Sequence, residues 1–325
     1  MISGDRVPKV GFGFCVPILA GAGASYDSPD FPFLKMAVEE CEELGFDSLW
    51  VADHLILGWR GAILECWTTL SALASVTKKM RIGTLVLCPS HRHPALVAKM
   101  AATLDLISGG RLDLGYGAGW HKSEQEAYGL EWYESPKVRI QRMEEAIEIA
   151  RLMWTQEKPS YRGRYYRIEE AVCEPKPLQK PHPPIWIGGG GEKLLLRAVA
   201  KYADGWNVTP IPVDVYAKKL DALEKHCIDL GRDFGAIKKS LETRIIIAED
   251  DAKALHTARK GGYFIGKTSM EELRRIFIIG DPGVCIRRIE EYVKLGVSHI
   301  MLWFLDLPSM DGLRLFAKEV MPSFQ

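Results

Sequence analysis

No stretch of this chain approaches eighteen uninterrupted apolar residues, so a helix crossing a membrane is not expected. No charge excess exists either: Lys plus Arg number 42 and Asp plus Glu 42 in 325 residues. Without a basic field, nucleic acid is not an expected partner. The seven cysteines, at 15, 41, 66, 88, 173, 227 and 285, form no CxxC and no Cys/His cluster at zinc spacing. A zinc module or a disulfide framework is therefore not expected, and mostly buried thiols in a reducing cytoplasm are. No Gly-Lys-Ser/Thr phosphate loop and no GxGxxG dinucleotide fingerprint occurs, and no repeat of 20–50 residues suggests a solenoid. The opening MISGDRVPKVGFGF carries an early acid and no long apolar core, so it reads as the lead into a first strand and not as a signal peptide.

What the chain does have is concentrated in residues 81–120, RIGTLVLCPSHRHPALVAKMAATLDLISGGRLDLGYGAGW. Residues 81–89 are an apolar run rich in Val, Leu and Thr. Pro94–Ile107 repeats apolar residues at helical spacing (Leu96, Val97, Met100, Ala101, Leu104, Ile107), and Ser108-Gly109-Gly110 ends it. Residues 111–116 form a second apolar run that leads into Gly117-Ala118-Gly119-Trp120. Strand, crossover helix and strand make one βαβ unit of a parallel sheet. Glycine and polar side chains follow each strand, where α/β proteins place ligands.

The same rhythm fills the rest. Strands are expected at 9–16, 48–53, 185–187, 205–208, 239–248 and 299–305, and helices at 34–44, 65–76, 135–154, 192–202, 213–230, 281–295 and 308–320. Asp281 reads as an N-cap with Pro282 at the first helical position, and Gly231 and Gly296 as C-terminal stops. The prolines and YRGRYYRI of 156–179 break the rhythm as a hairpin or extended excursion, and 250–280 reads as mainly helical. Eight strands, each followed by helix, predict an α/β fold: a (β/α)8 TIM barrel in one domain over 1–325, with insertions near 155–180 and 250–280.

Four groups of residues could carry chemistry. Gly188-Gly189-Gly190-Gly191 joins a strand to a helix start, with Lys193 beside it. Glycines admit close approach of a ligand and helix N–H groups favour an anion, so a phosphate cradle competes with a merely tight turn. Asp53-His54 closes the second strand on the barrel's active face; a proton-transferring pair competes with a hydrogen-bonded structural histidine. Residues 117–124, GAGWHKSE, offer Trp120 as a flat wall and His121, Ser123 and Glu124 as polar contacts. His91-Arg92-His93 lacks a third ligand at suitable spacing and reads as a polar loop contact, with no metal expected. Glu144, Glu145 and Glu148 read as a solvated helix face.

These pieces, in this order, resemble the luciferase-like superfamily of flavin- and deazaflavin-dependent oxidoreductases, and within it the branch using coenzyme F420. The resemblance rests on SLWVADH (48–54), RIGTLVLCP (81–89), residues 93–120 and CEPKPLQKPHPPIWIGGGGEKLLLRAVAKYADGWN (173–207). It implies a cofactor across the carboxyl end of the barrel. Leu85, Val86 and Cys88 would lie beside the ring, with a cis peptide joining Leu85 to Val86. Trp120 and Ser123 would join them on the cofactor side, and Gly188, Gly189, Gly190 and Gly191 would hold phosphate. Asp53 and His54 would be catalytic, with Trp120, Trp50 and Trp59 as candidate walls. A sugar-phosphate-oxidising branch of the family carries Glu at the position of Trp120 and Asn at that of Ser123, so that substrate is not expected here. The implied function is F420-dependent hydride transfer to or from a small organic molecule in a cytoplasmic homodimer. The alternative within the family is an FMN-dependent monooxygenase served by a separate flavin reductase.

Overall fold

A computed structural model of the chain describes residues 9–21, 28–260 and 268–325. The strands are β1 (Gly11–Cys15), β2 (Ser48–Val51), β3 (Arg81–Thr84), β4 (Leu112–Tyr116), β5 (Tyr161–Arg162), β6 (Arg167–Ile168), β7 (Ile185–Gly188), β8 (Gly205–Val208), β9 (Lys238–Ile247), β10 (Ile278–Gly280) and β11 (Val297–Phe304). The order β9-β11-β1-β2-β3-β4-β7-β8 closes through a β8–β9 pairing. Its pairings are all parallel. The molecule is a (β/α)8 barrel, and every expected strand takes part in it.

Size alternation fills the barrel's lower interior. Trp50 and Trp186 project inward and meet edge to face, 5.4 Å between centroids. Gly13, Gly83 and Gly205 face them: a Cβ on Gly83 would lie 2.3 Å from Trp50, and one on Gly205 equally close to Trp186. Trp50 Nε1 donates to Ser48 Oγ at 2.8 Å, and Ser48 Oγ lies 2.9 Å from His299 Nε2. Burial pushes His299 down to about 3, so this ring is neutral. Trp50 thus lies inside the barrel below the pocket, as a plug and not as a wall. With this end filled, the open end is the carboxyl ends of the strands.

The surrounding helices are α1 (Phe31–Glu43), α2 (Cys66–Val76), α3 (Pro94–Ile107), α4 (Lys122–Ala127), α5 (Pro136–Thr155), α6 (Leu195–Tyr202), α7 (Val213–Leu230), α8 (Asp251–Lys260), α9 (Met270–Ile276), α10 (Pro282–Val293) and α11 (Asp311–Glu319). Asp281 caps α10 by accepting from Val284 N at 2.9 Å, and Gly231 ends α7 in the left-handed region at φ 64°. The expected helix over 250–280 is in fact α8, α9 and the short β10, which extends the sheet along the end of β9. Part of that segment lies outside the described residues. All seven cysteines are buried and free.

The acids of α5 do not form a solvated face. Glu145 accepts from the backbone N–H groups of Arg164, Tyr165 and Tyr166 at 2.7, 3.0 and 3.0 Å. Glu148 takes the hydroxyls of Tyr161, at 2.8 Å, and Tyr202. They moor the β5–β6 hairpin, and Tyr166 then donates to Pro89 O at 3.2 Å, beside the end of β3.

Candidate active site

A cavity of about 420 Å³ opens at the carboxyl ends of the strands. Its bed is the segment after β3. The strand stops at Thr84, the Leu85–Val86 peptide is cis, and Leu87 resumes pairing with Tyr116. Gly117 and Gly188 flank Val86 so closely that a Cβ would lie 2.5 and 2.9 Å from its methyls. Glycine here lets the flanking backbones approach Val86.

Asp53 and His54 follow β2, and both line the cavity, but they do not form the expected pair. Asp53 is buried, accepts from Cys88 N at 3.0 Å and receives the Arg92 guanidinium at 3.0 Å. Burial raises its pKa, yet His91 and Arg92 outweigh that and hold it below the ordinary value. Arg92 also binds Glu65, the N-cap of α2. Asp53 therefore fixes the loop after β3 to β2 and α2.

The acid that holds His54 is Glu124, seventy residues away in sequence. His54 Nδ1 lies 3.1 Å from Glu124 Oε2 and 3.2 Å from Oε1. The backbone N–H groups of Leu55 and Ile56 donate to the same Oε2 at 2.5 and 3.0 Å. His91 lies between the two carboxylates, Nδ1 3.2 Å from Asp53 and Nε2 3.5 Å from Glu124. Neither contact has hydrogen-bond alignment, so both are ion pairs. Burial opposes the charge on His91, but its neighbours Asp53, Cys88 and Glu124 push the ring up to about 11. Glu124 in turn sits far below the usual carboxylate range. Burial raises it, but His54, His91 and the Ile56 N–H lower it further.

The other expected residues divide. Leu85, Val86, Cys88, Trp120, Gly188 and Gly189 line the cavity. Trp120 is 65% exposed at the rim, stacked on His121 at 4.8 Å and edge-on to His54 at 5.4 Å. Ser123 is exposed and away from the lining: the turn of α4 sends Ser123 out and Glu124 in. Gly190 and Gly191 lie beyond the cavity. The helix expected from residue 192 starts at Leu195, so the glycines precede a turn and do not abut the first helical N–H groups. Lys193 is exposed, and Trp59 is half-exposed and off the lining. His93 caps α3, accepting from Ala95 N at 3.3 Å. His54, His121 and Glu124 bring ligand atoms within 4.8 Å of one another, but Glu124 is committed to the donors described above.

Several residues gave no local signal. Gln125, next to Glu124, lines the cavity, and its buried Oε1 has no partner among the described residues. Asn207, Thr209, Glu242, Arg244 and Trp303 close the far side. Lys219 of α7 donates to Gly190 O at 2.7 Å and so places a cation at the glycine run.

Barrel and site together define a (β/α)8 protein with a cavity at the carboxyl ends of its strands, where a buried acid holds a histidine on the lining. The family described as luciferase-like monooxygenase matches residues 10–268, and the chain belongs to that family. It is 31% identical over 307 residues to the F420-dependent glucose-6-phosphate dehydrogenase of Microbacterium testaceum, covering 86% of this chain and 90% of that protein. Among solved structures it resembles the coenzyme F420-dependent tetrahydromethanopterin reductase of Methanopyrus kandleri, with TM-score 0.81, 21% identity and coverage of 98% and 100% of the two chains. An F420-dependent secondary alcohol dehydrogenase bound to an F420-acetone adduct gives TM-score 0.82, 21% identity and coverage of 98% and 99%. At that identity the two structures share its fold.

Proposed function

We propose that the chain is an F420-dependent oxidoreductase acting on a small organic substrate, with His54 as the group that moves the proton. The observation that carries this is the His54–Glu124 pair facing a cavity bedded on Leu85 and Val86. The relative from Microbacterium testaceum, similar over most of both chains, supports the choice of cofactor.

The residues fit the group. A planar heteroaromatic ring needs an apolar bed, close-approaching backbone and a partner for its polar edge. Leu85 and Val86 supply the first, Gly117 and Gly188 the second, and the unpartnered Gln125 Oε1 the third. The backbone at Gly188–Gly191, with Lys219 beside it, would hold the anionic tail. When bound, the deazaflavin supplies or accepts a hydride at the substrate carbon.

The chain's own residues do the rest. Glu124 fixes His54 through Nδ1 and leaves Nε2 for the substrate oxygen. In the oxidising direction His54 takes the hydroxyl proton as the carbonyl forms; in the reducing direction it returns that proton. Asp53 is a positioning residue, since it holds the Cys88 backbone and Arg92. The glucose 6-phosphate of the relative's name is not carried over, because Trp120 presents an indole where that branch is expected to have an acid. From the family resemblance we also infer a homodimer of one-domain chains in the cytoplasm; buried free cysteines are compatible with a reducing compartment, and gel filtration tests the dimer.

Fluorescence titration with F420 and with FMN tests the reading. Saturable F420 binding, with turnover lost in His54→Ala, is expected. Tight FMN binding without F420 binding would replace it with the FMN-dependent monooxygenase, and unchanged turnover in His54→Ala would remove the histidine from the chemistry.

A further inference from the structure

Glu242 takes no part in the chemistry above. It lies on β9 with its side chain turned into the barrel and is 9% exposed. Trp303 Nε1, on the neighbouring β11, donates to its Oε1 at 2.8 Å. Its Oε2 has no hydrogen-bond partner among the described residues, and the side chain lines the cavity. A carboxyl in such a place is costly to bury unless something satisfies it.

Glu242 and His54 line the same cavity, Glu242 from β9 and His54 from the segment after β2. A molecule reaching both needs two polar atoms. Leu85 and Val86 line the apolar bed on another side.

The charge state fits a hydrogen-bond donor. Burial pushes the Glu242 carboxyl up, and Arg244, the Trp303 N–H and His54 offset this only in part. The other groups that face it are Arg244, which leans on Phe277 at 5.5 Å between guanidinium and ring, and the buried thiol of Cys15. Burial thus favours the protonated form more than in an ordinary carboxyl, and in that form the acid offers its O–H to a neutral oxygen.

We propose that Glu242 positions the substrate, and that the substrate carries, besides the carbon–oxygen group at His54, a second hydroxyl or carbonyl oxygen that hydrogen-bonds to Glu242. This rests on the oxidoreductase reading above. The substrate class is then a small, uncharged, vicinally or distally dioxygenated alcohol or ketone. Trp303 is the residue that orients the acid, and Leu305 and Leu57 line the cavity's apolar wall.

Calorimetric titration of the F420-loaded full-length protein with cyclohexanol and with its vicinal diol tests this. The wild type binds the diol at least tenfold more tightly than the mono-alcohol. Glu242→Leu erases that ratio, and Glu242→Gln, which keeps an acceptor for Trp303 and a donor for the ligand, retains it within threefold. F420 affinity stays within threefold of wild type in both variants. Equal binding of the two probes by the wild type, or no binding of either, overturns the proposal. So does a diol preference that survives in Glu242→Leu, or one lost in Glu242→Gln, which would mean that an ionised carboxylate is needed. A Glu242→Leu protein with weakened F420 binding places the residue on the cofactor and also overturns it. Failure of the wild type to bind F420 at all is a different result and counts against the oxidoreductase reading.

Discussion

Glu124 is the residue whose smallest change has the largest expected effect. Its carboxylate meets the His54 ring and two backbone N–H groups. Glu124→Gln either turns an NH2 group toward those donors or withdraws it and lets His54 swing. We expect kcat/KM to fall about 100-fold, the lower end of what a positioned acid–base group contributes, with F420 affinity unchanged within threefold. A variant losing both in parallel would show that Glu124 builds the pocket and does not serve the histidine. His91 gives a pH prediction. Its ring is pushed up to about 11 in the folded chain, against about 6.5 unfolded. Its stabilising contribution is complete below about 6.5 and is lost as pH rises through about 11. His91→Gln removes the cation between two buried carboxylates, of which Asp53 keeps Arg92 and Glu124 keeps His54, so it should cost about 1–3 kcal/mol near neutral pH and flatten the alkaline decline of Tm expected of the wild type. The adjacency of Asp53 and His54 suggested a pair from sequence alone. Extended backbone sends successive side chains apart, however, and Asp53 turns to Arg92 and His91 while His54 turns to an acid on another loop. His54 and Glu124 stood in two short windows, 53–54 and 117–124, but their partnership is made by the barrel and cannot be read from neighbours in the chain.

At the scale of elements, the strands were legible because buried parallel strands are short continuous apolar runs between turn residues. β10, three residues long, and α4, a helix shorter than two turns, carry too little periodicity to stand out. The acids of α5 were misread for another reason. Helical spacing places Glu144, Glu145 and Glu148 on one side, but the hairpin that follows α5 takes up Glu145 and Glu148. Glu145→Ala should free the backbone of residues 164–166, so faster hydrogen exchange and proteolysis confined to the β5–β6 hairpin are expected while the barrel strands stay protected. Exchange spread evenly over the molecule would contradict a local mooring. The lower barrel gives the complementary case. Gly83→Ala places a Cβ 2.3 Å from Trp50 and should cost about 1–3 kcal/mol in urea unfolding through overpacking. F420 affinity should hold, because the plug and the pocket are at opposite depths of the barrel.

For the whole molecule, the barrel separates holding a cofactor from doing chemistry with it, and thermal unfolding can read the two apart. A ligand that binds only the folded chain stabilises it by about 2.7 kcal/mol at a hundredfold excess over Kd. For a chain of this size that is a rise in Tm of about 5 °C. F420 should produce this rise, and FMN at the same concentration should not. His54→Ala should keep the full rise while losing turnover, because in the proposed function the histidine meets substrate and the ring lies on Leu85 and Val86. Gly117→Val should behave in the opposite way at the bed itself. Even a Cβ there would be 2.5 Å from Val86, so the ring's place is distorted and the F420-induced rise should shrink to a small fraction. If Gly117→Val kept the rise and His54→Ala lost it, the cofactor would be held on the β2 side of the cavity and not on the segment after β3.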